Sequence, residues 1–352
     1  MKISIERNIP IDALRGFAIF LMVISNSYSY IFENSPSILI RLLLSSAAPI
    51  FIFLSGYTFQ LSIEKSKAKT DFIKRIFQIY LVAVLIDVCV WQIYPMQNFD
   101  VLYLISISMI GMLLLNNFSS NIKLILFLLL IPITFLVRLI FQYRFQIVEL
   151  HLEPIDFKIL TKYYGIDFIR RIHIDGWFPL LPWFSIALLG NIVKQKILFV
   201  KKNANLFGLI GIVLIIISIY FYFDNYNDIN QIRDGYVEIF YPVDKLFLVN
   251  LFGVLGVVLF IITRNSLYYF SLFRFQIIGK YSLFFYFYHS VIISAFFKNY
   301  FDDTYKINYW CGITALILFW CSILILAHLL EKYKSTIVGN NILKKMLFVI
   351  GI

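Results

Sequence analysis

The chain has 352 residues, of which 61% are hydrophobic, 18% aromatic and only 14% charged. Soluble domains carry more charge and fewer apolar residues, so this composition excludes an ordinary soluble protein and indicates one whose solvent is lipid. The formal net charge of +11 could suit nucleic acid. The basic residues instead follow the pattern of a membrane topology, as shown next, and we expect no nucleic-acid partner.

Apolar stretches of about 20 residues, long enough to cross the hydrocarbon core of a bilayer, predict about ten transmembrane helices. They cover residues 11–30, 38–62, 72–94, 98–116, 121–142, 176–194, 204–223, 244–263, 275–297 and 308–330. The segments on the N-terminal side of this alternation are 1–10, 63–75, 117–123, 191–203, 264–280 and 331–352. These segments hold 19 of the 31 Lys and Arg residues but only four of the 20 acidic ones. Because cytoplasmic loops are enriched in Lys and Arg, the sequence predicts an all-α, polytopic membrane protein with both termini in the cytoplasm.

The organisation along the chain is that of one unit. No Gly/Ser-rich or Pro-rich linker and no fixed-period repeat divides it, so residues 1–330 are predicted to form a single transmembrane domain. Residues 331–352 combine lysines with apolar residues, which is typical of a basic amphipathic tail on anionic lipid. Cys89, Cys311 and Cys321 all fall within predicted spans. We therefore expect buried thiols rather than a disulfide framework or a zinc site.

Polar side chains inside the predicted spans are candidate functional groups, because they cost several kcal/mol in lipid unless they are paired or hydrated. Asp12 and Arg15 are three residues apart in the first span and can pair. Asn26 follows Arg15 on the same helix face, roughly 16 Å further along. His289 lies in the outer half of the ninth span, at a depth similar to that of Asn26. Structural roles remain open: Arg15 could reach the interface, and Asn26 and His289 could bond to neighbouring helices or backbone.

The start of the sixth span is also rich in polar and aromatic groups. His173, Asp175 and Trp177 precede two prolines, and Trp183 follows them. An interfacial aromatic belt accounts for the tryptophans. If this helix start faces a cavity, its free N–H groups and aromatic faces would instead suit phosphate and a sugar or adenine ring. Asp87, in the third span, is a further intramembrane carboxylate.

Four segments together resemble a known family. They read IDALRGFA at 11–18 followed by Asn26, APIFIFLSG at 48–56, PLLPW through Gly190 at 179–190, and GKYSLFFYFYH at 279–289. In order and spacing this pattern resembles the transmembrane acyltransferases related to heparan-α-glucosaminide N-acetyltransferase and the bacterial YeiB-like proteins. The four segments span most of the chain.

The resemblance implies transfer of an acyl group, acetyl above all, from acyl-CoA to a sugar amine or hydroxyl. It implies that Asp12 and Arg15 shape the first-helix motif, with Arg15 near a CoA phosphate, and that Asn26 lies close to the reacting acyl group. One departure matters. The N-acetyltransferase that names the family has a catalytic histidine in the loop after its first helix, whereas residues 27–48 contain none. The base would then be His289, or His173 from residues 143–175, a long polar loop on the predicted outer side.

We therefore expect a membrane-embedded acyltransferase that uses acyl-CoA as a donor substrate and needs neither a permanently bound cofactor nor a metal. The expected roles are as follows: His289 and Asn26 in catalysis; Arg15, Asp12 and Trp183 in donor binding; His173, Asp175 and Trp177 in acceptor binding. The expected surroundings are the lipid bilayer of a bacterial cytoplasmic membrane and a sugar or glycoconjugate acceptor, and homo-oligomerisation is left open.

Two other functions remain open on the sequence. The first is an organic-anion transporter or flippase, in which a substrate and proton pathway would be formed by Asp12, Arg15, Asp87 and His289. The second is a catalytically inactive membrane scaffold, which the absence of the loop histidine would favour. Thioester turnover separates the enzyme from both.

Overall fold

A computed structural model describes residues 8–32, 36–65, 69–144, 151–152, 164–224, 237–264, 274–298 and 309–333. This part of the chain is helical, and only one isolated β-bridge, between Ile93 and His151, occurs in it. We number the helices in chain order: α1 Ile9–Ile31, α2 Ile38–Ser45, α3 Ala47–Glu64, α4 Lys69–Leu85, α5 Val101–Leu114, α6 Ser120–Phe141, α7 Ile166–Arg170, α8 Leu180–Gln195, α9 Ile197–Lys202, α10 Ala204–Asp224, α11 Lys245–Arg264, α12 Phe275–Lys280, α13 Ser282–Ile292 and α14 Tyr309–Lys332.

The number of long membrane-crossing helices is smaller than the sequence predicts. In the described residues, six helices are long and apolar enough to cross a membrane, or seven if the bent pair Asp167–Asp175 and Leu180–Gln195 counts as one span. The prediction of about ten is corrected because four of the apolar stretches do not form one long straight helix. The third stretch becomes π-helical at Ile86–Trp91, and the fourth forms only the 14-residue α5. The sixth bends by 49° before α8, and the ninth breaks at Tyr281 between α12 and α13. The all-α, polytopic membrane fold is confirmed.

Helix α1 is the central element of the bundle. It begins with Asn8, whose side chain accepts a hydrogen bond from the backbone N–H of Ile11, and this cap satisfies one of the free N–H groups of the first turn. The helix packs against α12, α3, α13 and α14. Its residues Asn26 and Arg15 therefore face other helices rather than lipid.

Glycines allow two pairs of helices to approach closely. A Cβ atom on Gly279 would lie 1.7 Å from the carbonyl oxygen of Asp12, and one on Gly16 would lie 2.0 Å from that of Phe275. Between α3 and α8, a Cβ atom on Gly56 would lie 1.8 Å from the carbonyl oxygen of Ala187. Small residues permit such backbone contact between membrane helices. These contacts fix α1 against the α12–α13 segment, and α3 against α8.

Three cysteines depart from their predicted burial. Cys89, Cys311 and Cys321 are free and exposed. Cys311 and Cys321 lie on α14, whose surface is mostly outside the protein core. An apolar thiol can face lipid at little cost, so these positions need no partner. The part of the predicted basic tail that follows Tyr333 is outside the described residues. The same holds for parts of the two loops at 143–175 and 224–243.

Candidate active site

Two cavities open between the helices, and each has a distinct chemical character. The first, which we call the His289 cavity, has a volume of about 540 Å³. The second, which we call the Arg15 cavity, has a volume of about 480 Å³. Both are in the range of small-molecule sites. Asn26 and Arg15, predicted from their spacing to share a helix face, line different cavities.

Asn26 and His289 meet in the His289 cavity. The amide nitrogen Nδ2 of Asn26 lies 3.2 Å from Nε2 of His289, although the residues are 263 positions apart in the chain. Because an amide nitrogen can only donate, Nε2 is the unprotonated nitrogen in this contact. The other ring nitrogen, Nδ1, is buried and has no hydrogen-bond partner among the described residues. The arrangement holds a neutral imidazole with its basic nitrogen beside a side-chain amide.

Phenol–carboxylate pairs hold the polar wall of the His289 cavity. The hydroxyl of Tyr286, one turn before His289, donates to Asp100 at 2.5 Å. The Tyr286 and His289 rings also contact edge to face, with centroids 4.9 Å apart. In the same way Tyr103 donates to Asp87 at 2.6 Å, and the backbone N–H of Met96 donates to that carboxylate at 2.9 Å. Asp87, without an evident partner in the sequence, thus anchors the turn that follows its own helix.

A third carboxylate enters this cavity from the loop before α11. Glu238 is buried and accepts a hydrogen bond from Ser25 of α1 at 2.6 Å. Burial raises the pKa of the Glu238 carboxyl group, while the bond from Ser25 and the charge of Arg41 oppose the shift. The loop is itself fixed, because Arg41 donates to the carbonyl of Val237 at 2.9 Å and Ile239 donates to Ser45 at 3.0 Å.

Aromatic rings form another wall of the His289 cavity. Trp177 and Tyr241 contact edge to face at 4.9 Å, and Phe178 lies 6.0 Å from Tyr241 between ring centroids. The backbone N–H of Trp177 donates to the carbonyl of Asn98 at 2.8 Å, which ties this wall to the start of α5. A wall of this kind offers flat apolar faces to a ligand whose edges are polar.

The Arg15 cavity is cationic. Its lining includes Arg15, Lys74 and Arg75, against a single carboxylate, Asp71. Arg15 donates to the hydroxyl of Thr58 at 2.6 Å and lies 3.8 Å from Asp12. Guanidinium and ammonium groups together with serine and threonine hydroxyls suit the oxygens of a phosphate.

The remaining predicted site residues lie elsewhere. Trp183 is completely buried, 5.2 Å from Phe240 between ring centroids, behind the aromatic wall. It lines neither cavity, nor does Asp12. His173 is exposed, with Nδ1 2.9 Å from the carbonyl of Ile169. Asp175 is buried in an ion pair with Arg170 at 2.9 Å. Of the predicted donor and acceptor residues, Arg15 and Trp177 are the two that line a cavity.

The site also contains residues that sequence reasoning did not select. Asp100 and Tyr286 are adjacent to the His289–Asn26 pair, but Asp100 lies at the end of a loop and Tyr286 in a run of aromatic residues. Helical spacing could have identified Tyr286 as a site residue, because it is three residues before His289 and therefore on the same helix face. Glu238 lies in a loop outside the predicted spans, where a carboxylate gives no signal of a cavity.

Comparison with known families gives two matches along the chain. Residues 7–209, more than half of the chain, match the family described as "Heparan-alpha-glucosaminide N-acetyltransferase, catalytic". Residues 192–336 match the family described as "Protein of unknown function (DUF418)". No match was found among curated proteins. The resemblance inferred from the four sequence motifs is confirmed, and the chain belongs to the heparan-alpha-glucosaminide N-acetyltransferase catalytic-domain family.

Proposed function

We propose that the protein is a membrane acyltransferase. It transfers an acyl group, acetyl above all, from acyl-CoA to a hydroxyl or amine of a sugar or glycoconjugate. The observation that carries the proposal is the contact between Asn26 and His289 at 3.2 Å inside a cavity. An unprotonated imidazole nitrogen in a ligand-sized space is the group that a general base requires.

The donor is assigned to the Arg15 cavity. Acyl-CoA carries several phosphate charges, and Arg15, Lys74 and Arg75 provide the positive charge that binds them. Its acyl end is on a long flexible arm, which suits a reacting centre located away from the nucleotide. Asn26 lies roughly 16 Å from Arg15 along α1, since each helical residue rises 1.5 Å.

The acceptor is assigned to the His289 cavity. Asp87, Asp100 and Glu238 can accept hydrogen bonds from hydroxyl or amine groups, and Trp177 and Tyr241 offer ring faces. This combination suits a sugar, which has apolar faces and many donors at its edges. On the predicted topology this cavity is on the outer side, so donor and acceptor would approach from opposite faces of a bacterial cytoplasmic membrane.

The chemical step follows from the geometry of the pair. Nε2 of His289 takes the proton of the acceptor O–H or N–H as that oxygen or nitrogen attacks the thioester carbonyl carbon. The carbonyl π electrons move to oxygen, and an N–H of Asn26 donates to this oxyanion. When the oxyanion collapses, the C–S bond breaks and the sulfur leaves with the electron pair. The imidazolium then returns its proton to the thiolate, giving free CoA and an acylated acceptor.

The test is acceptor-dependent CoA release by the purified protein in lipid, with acetyl-CoA and a panel of sugars and amino sugars. We expect wild type to release CoA and form acyl sugar, and His289→Ala and Asn26→Ala to lose both activities while remaining folded. His173→Ala is the matched control, because that histidine is exposed and lines neither cavity. Full activity in His289→Ala with loss in His173→Ala would move the chemistry to the outer loop.

An organic-anion transporter is the second candidate, because the two cavities lie on the same helices and almost meet. The charged pathway imagined for it is incomplete, since Asp12 lines neither cavity and Asp87 is bonded to Tyr103. Uptake of labelled acyl-CoA or sugar phosphate into vesicles, without thioester cleavage by wild type, would favour the transporter over the enzyme.

A further inference from the structure

The two cavities are separated at one level of the helix bundle. Helices α1, α5 and α13 each line both cavities, and the change from one cavity to the other occurs within three residues on each. On α1, Arg15 lines the Arg15 cavity and Ala18 lines the His289 cavity. The corresponding pairs, in the same order, are Leu102 and Val101 on α5 and Leu283 and Tyr286 on α13. Three residues of an α-helix rise about 4.5 Å, less than one turn. A single layer of side chains therefore divides the cavities.

Phe51 is in this layer. Among the described residues it alone lines both cavities. On its helix, α3, Ala47 and Ala48 face the His289 cavity, and Ser55 and Thr58 face the Arg15 cavity. The Phe51 side chain is half-buried, so it has free volume on at least one side. The nearest residues of α3 that line the cavities, Ala48 on one side and Ser55 on the other, are small, so the Phe51 ring is the bulky group on this part of the cavity lining.

We infer that Phe51 is the movable septum between the donor and acceptor cavities and controls passage of the acyl-bearing arm to Asn26 and His289. This inference rests on the proposed function. Aromatic side chains on helices have two favoured χ1 rotamers, and a change between them moves the ring without any change of backbone. With the ring in the septum, the acceptor cavity is separated from the donor cavity. With the ring turned aside, the thioester reaches the histidine.

Two consequences follow for the reaction. Removing the ring joins the cavities, so water from the acceptor side reaches the bound thioester and hydrolysis rises relative to transfer. Enlarging the ring closes the septum, so the acyl arm is excluded while the nucleotide part of the donor still binds at Arg15. A residue that served only packing would change stability and both activities together, without changing their ratio.

The septum can be tested without relying on catalysis. In a background with Cys89, Cys311 and Cys321 replaced by Ala, Ser29→Cys places a thiol in the His289 cavity. Sealed vesicles of known protein orientation are treated on one face at a time with a membrane-impermeant maleimide. We expect labelling from the His289-cavity face alone in the otherwise wild-type protein, and from both faces when Phe51→Ala is added. Phe51→Leu should open the path partly, which covers the case in which Phe51→Ala fails to fold.

Phe59→Ala is the matched control, because Phe59 is a phenylalanine of the same helix that lines the Arg15 cavity alone. It should leave labelling one-sided. Labelling from both faces without any change at Phe51, or one-sided labelling in Phe51→Ala and Phe51→Leu alike, would overturn the inference. In the catalytic assay, Phe51→Ala should raise the ratio of acetyl-CoA hydrolysis to transfer several-fold, and Phe51→Trp should lower kcat with little change in the KM for acetyl-CoA. An active enzyme with an unchanged ratio in both variants would reject the septum and leave the proposed function standing.

Discussion

The close contact between α1 and α12 positions the proposed catalytic pair, Asn26 and His289, and Gly279→Ala tests that link. The added Cβ atom would lie 1.7 Å from the carbonyl oxygen of Asp12, whereas real Cβ atoms essentially never approach closer than 3.0 Å. The two helices must therefore separate by about 1.3 Å at this level. Overpacking of this kind costs about 1–3 kcal/mol of unfolding free energy. Because His289 is on the helix that follows α12, the shift also lengthens its 3.2 Å contact with Asn26.

We expect Gly279→Ala to lower transfer activity by about 100-fold, which is the effect of a 1 Å misplacement of reacting groups, and to lower the melting temperature. Initial rates of CoA release and a thermal melt in the same detergent measure both effects. Gly208→Ala is the control, because the three atoms nearest to its Cβ would all belong to the side chain of Phe260, at 3.1–3.2 Å, and none to backbone. Gly279→Ala with wild-type activity and melting temperature would refute the idea that this crossing sets the geometry of the pair.

Three further predictions concern single polar groups. Tyr286→Phe removes the 2.5 Å bond to Asp100 and should lower the unfolding free energy by about 1–3 kcal/mol. Tyr288 donates to the hydroxyl of Ser322 at 3.1 Å, so Tyr288→Phe loses only a neutral bond and should cost about 0.6 kcal/mol; equal losses in thermal melts would contradict this. Burial raises the pKa of Glu238, so ionisation of this carboxyl group lowers the stability of the folded wild type as pH rises. The melting temperature of Glu238→Gln minus that of wild type should therefore be larger at pH 8 than at pH 5. A difference that does not change with pH would contradict this prediction. Arg15→Ala should raise the KM for acyl-CoA about 10- to 100-fold, as expected for loss of a charge-assisted bond, and Arg15→Lys should have an intermediate KM. An unchanged KM in Arg15→Ala would show that Arg15 does not bind the donor.

The sequence brings Asn26 and His289 together as candidates because depth in the membrane can be read from topology. Asn26 and His289 are the polar groups placed at similar depth in two different spans, and intramembrane polar groups need partners. Their contact across 263 residues follows from that requirement. Arg15, selected for the same reason, lines a different cavity from Asn26.

Other parts of the site depend on packing that hydropathy does not encode. Asp100 and Glu238 come from loops, and their approach to the cavity is fixed by backbone contacts such as that between Arg41 and Val237. Trp183 looks like an interfacial residue in the sequence, yet it is buried among the rings behind the cavity wall. Hydropathy windows also count helices that the structure shortens, bends or breaks, because they measure apolar length without backbone geometry.

The most direct test of the acyl-transfer account is the rate of the chemical step in His289→Gln. Glutamine can still bond to Asn26 but cannot act as a base. With donor bound to saturation, single-turnover transfer of labelled acetyl from acetyl-CoA to the best acceptor should be about 10²- to 10⁴-fold slower than in wild type, the usual contribution of a general base. Donor affinity should be unchanged, because the Arg15 cavity is intact. Transfer at the wild-type rate in folded His289→Gln would contradict the account.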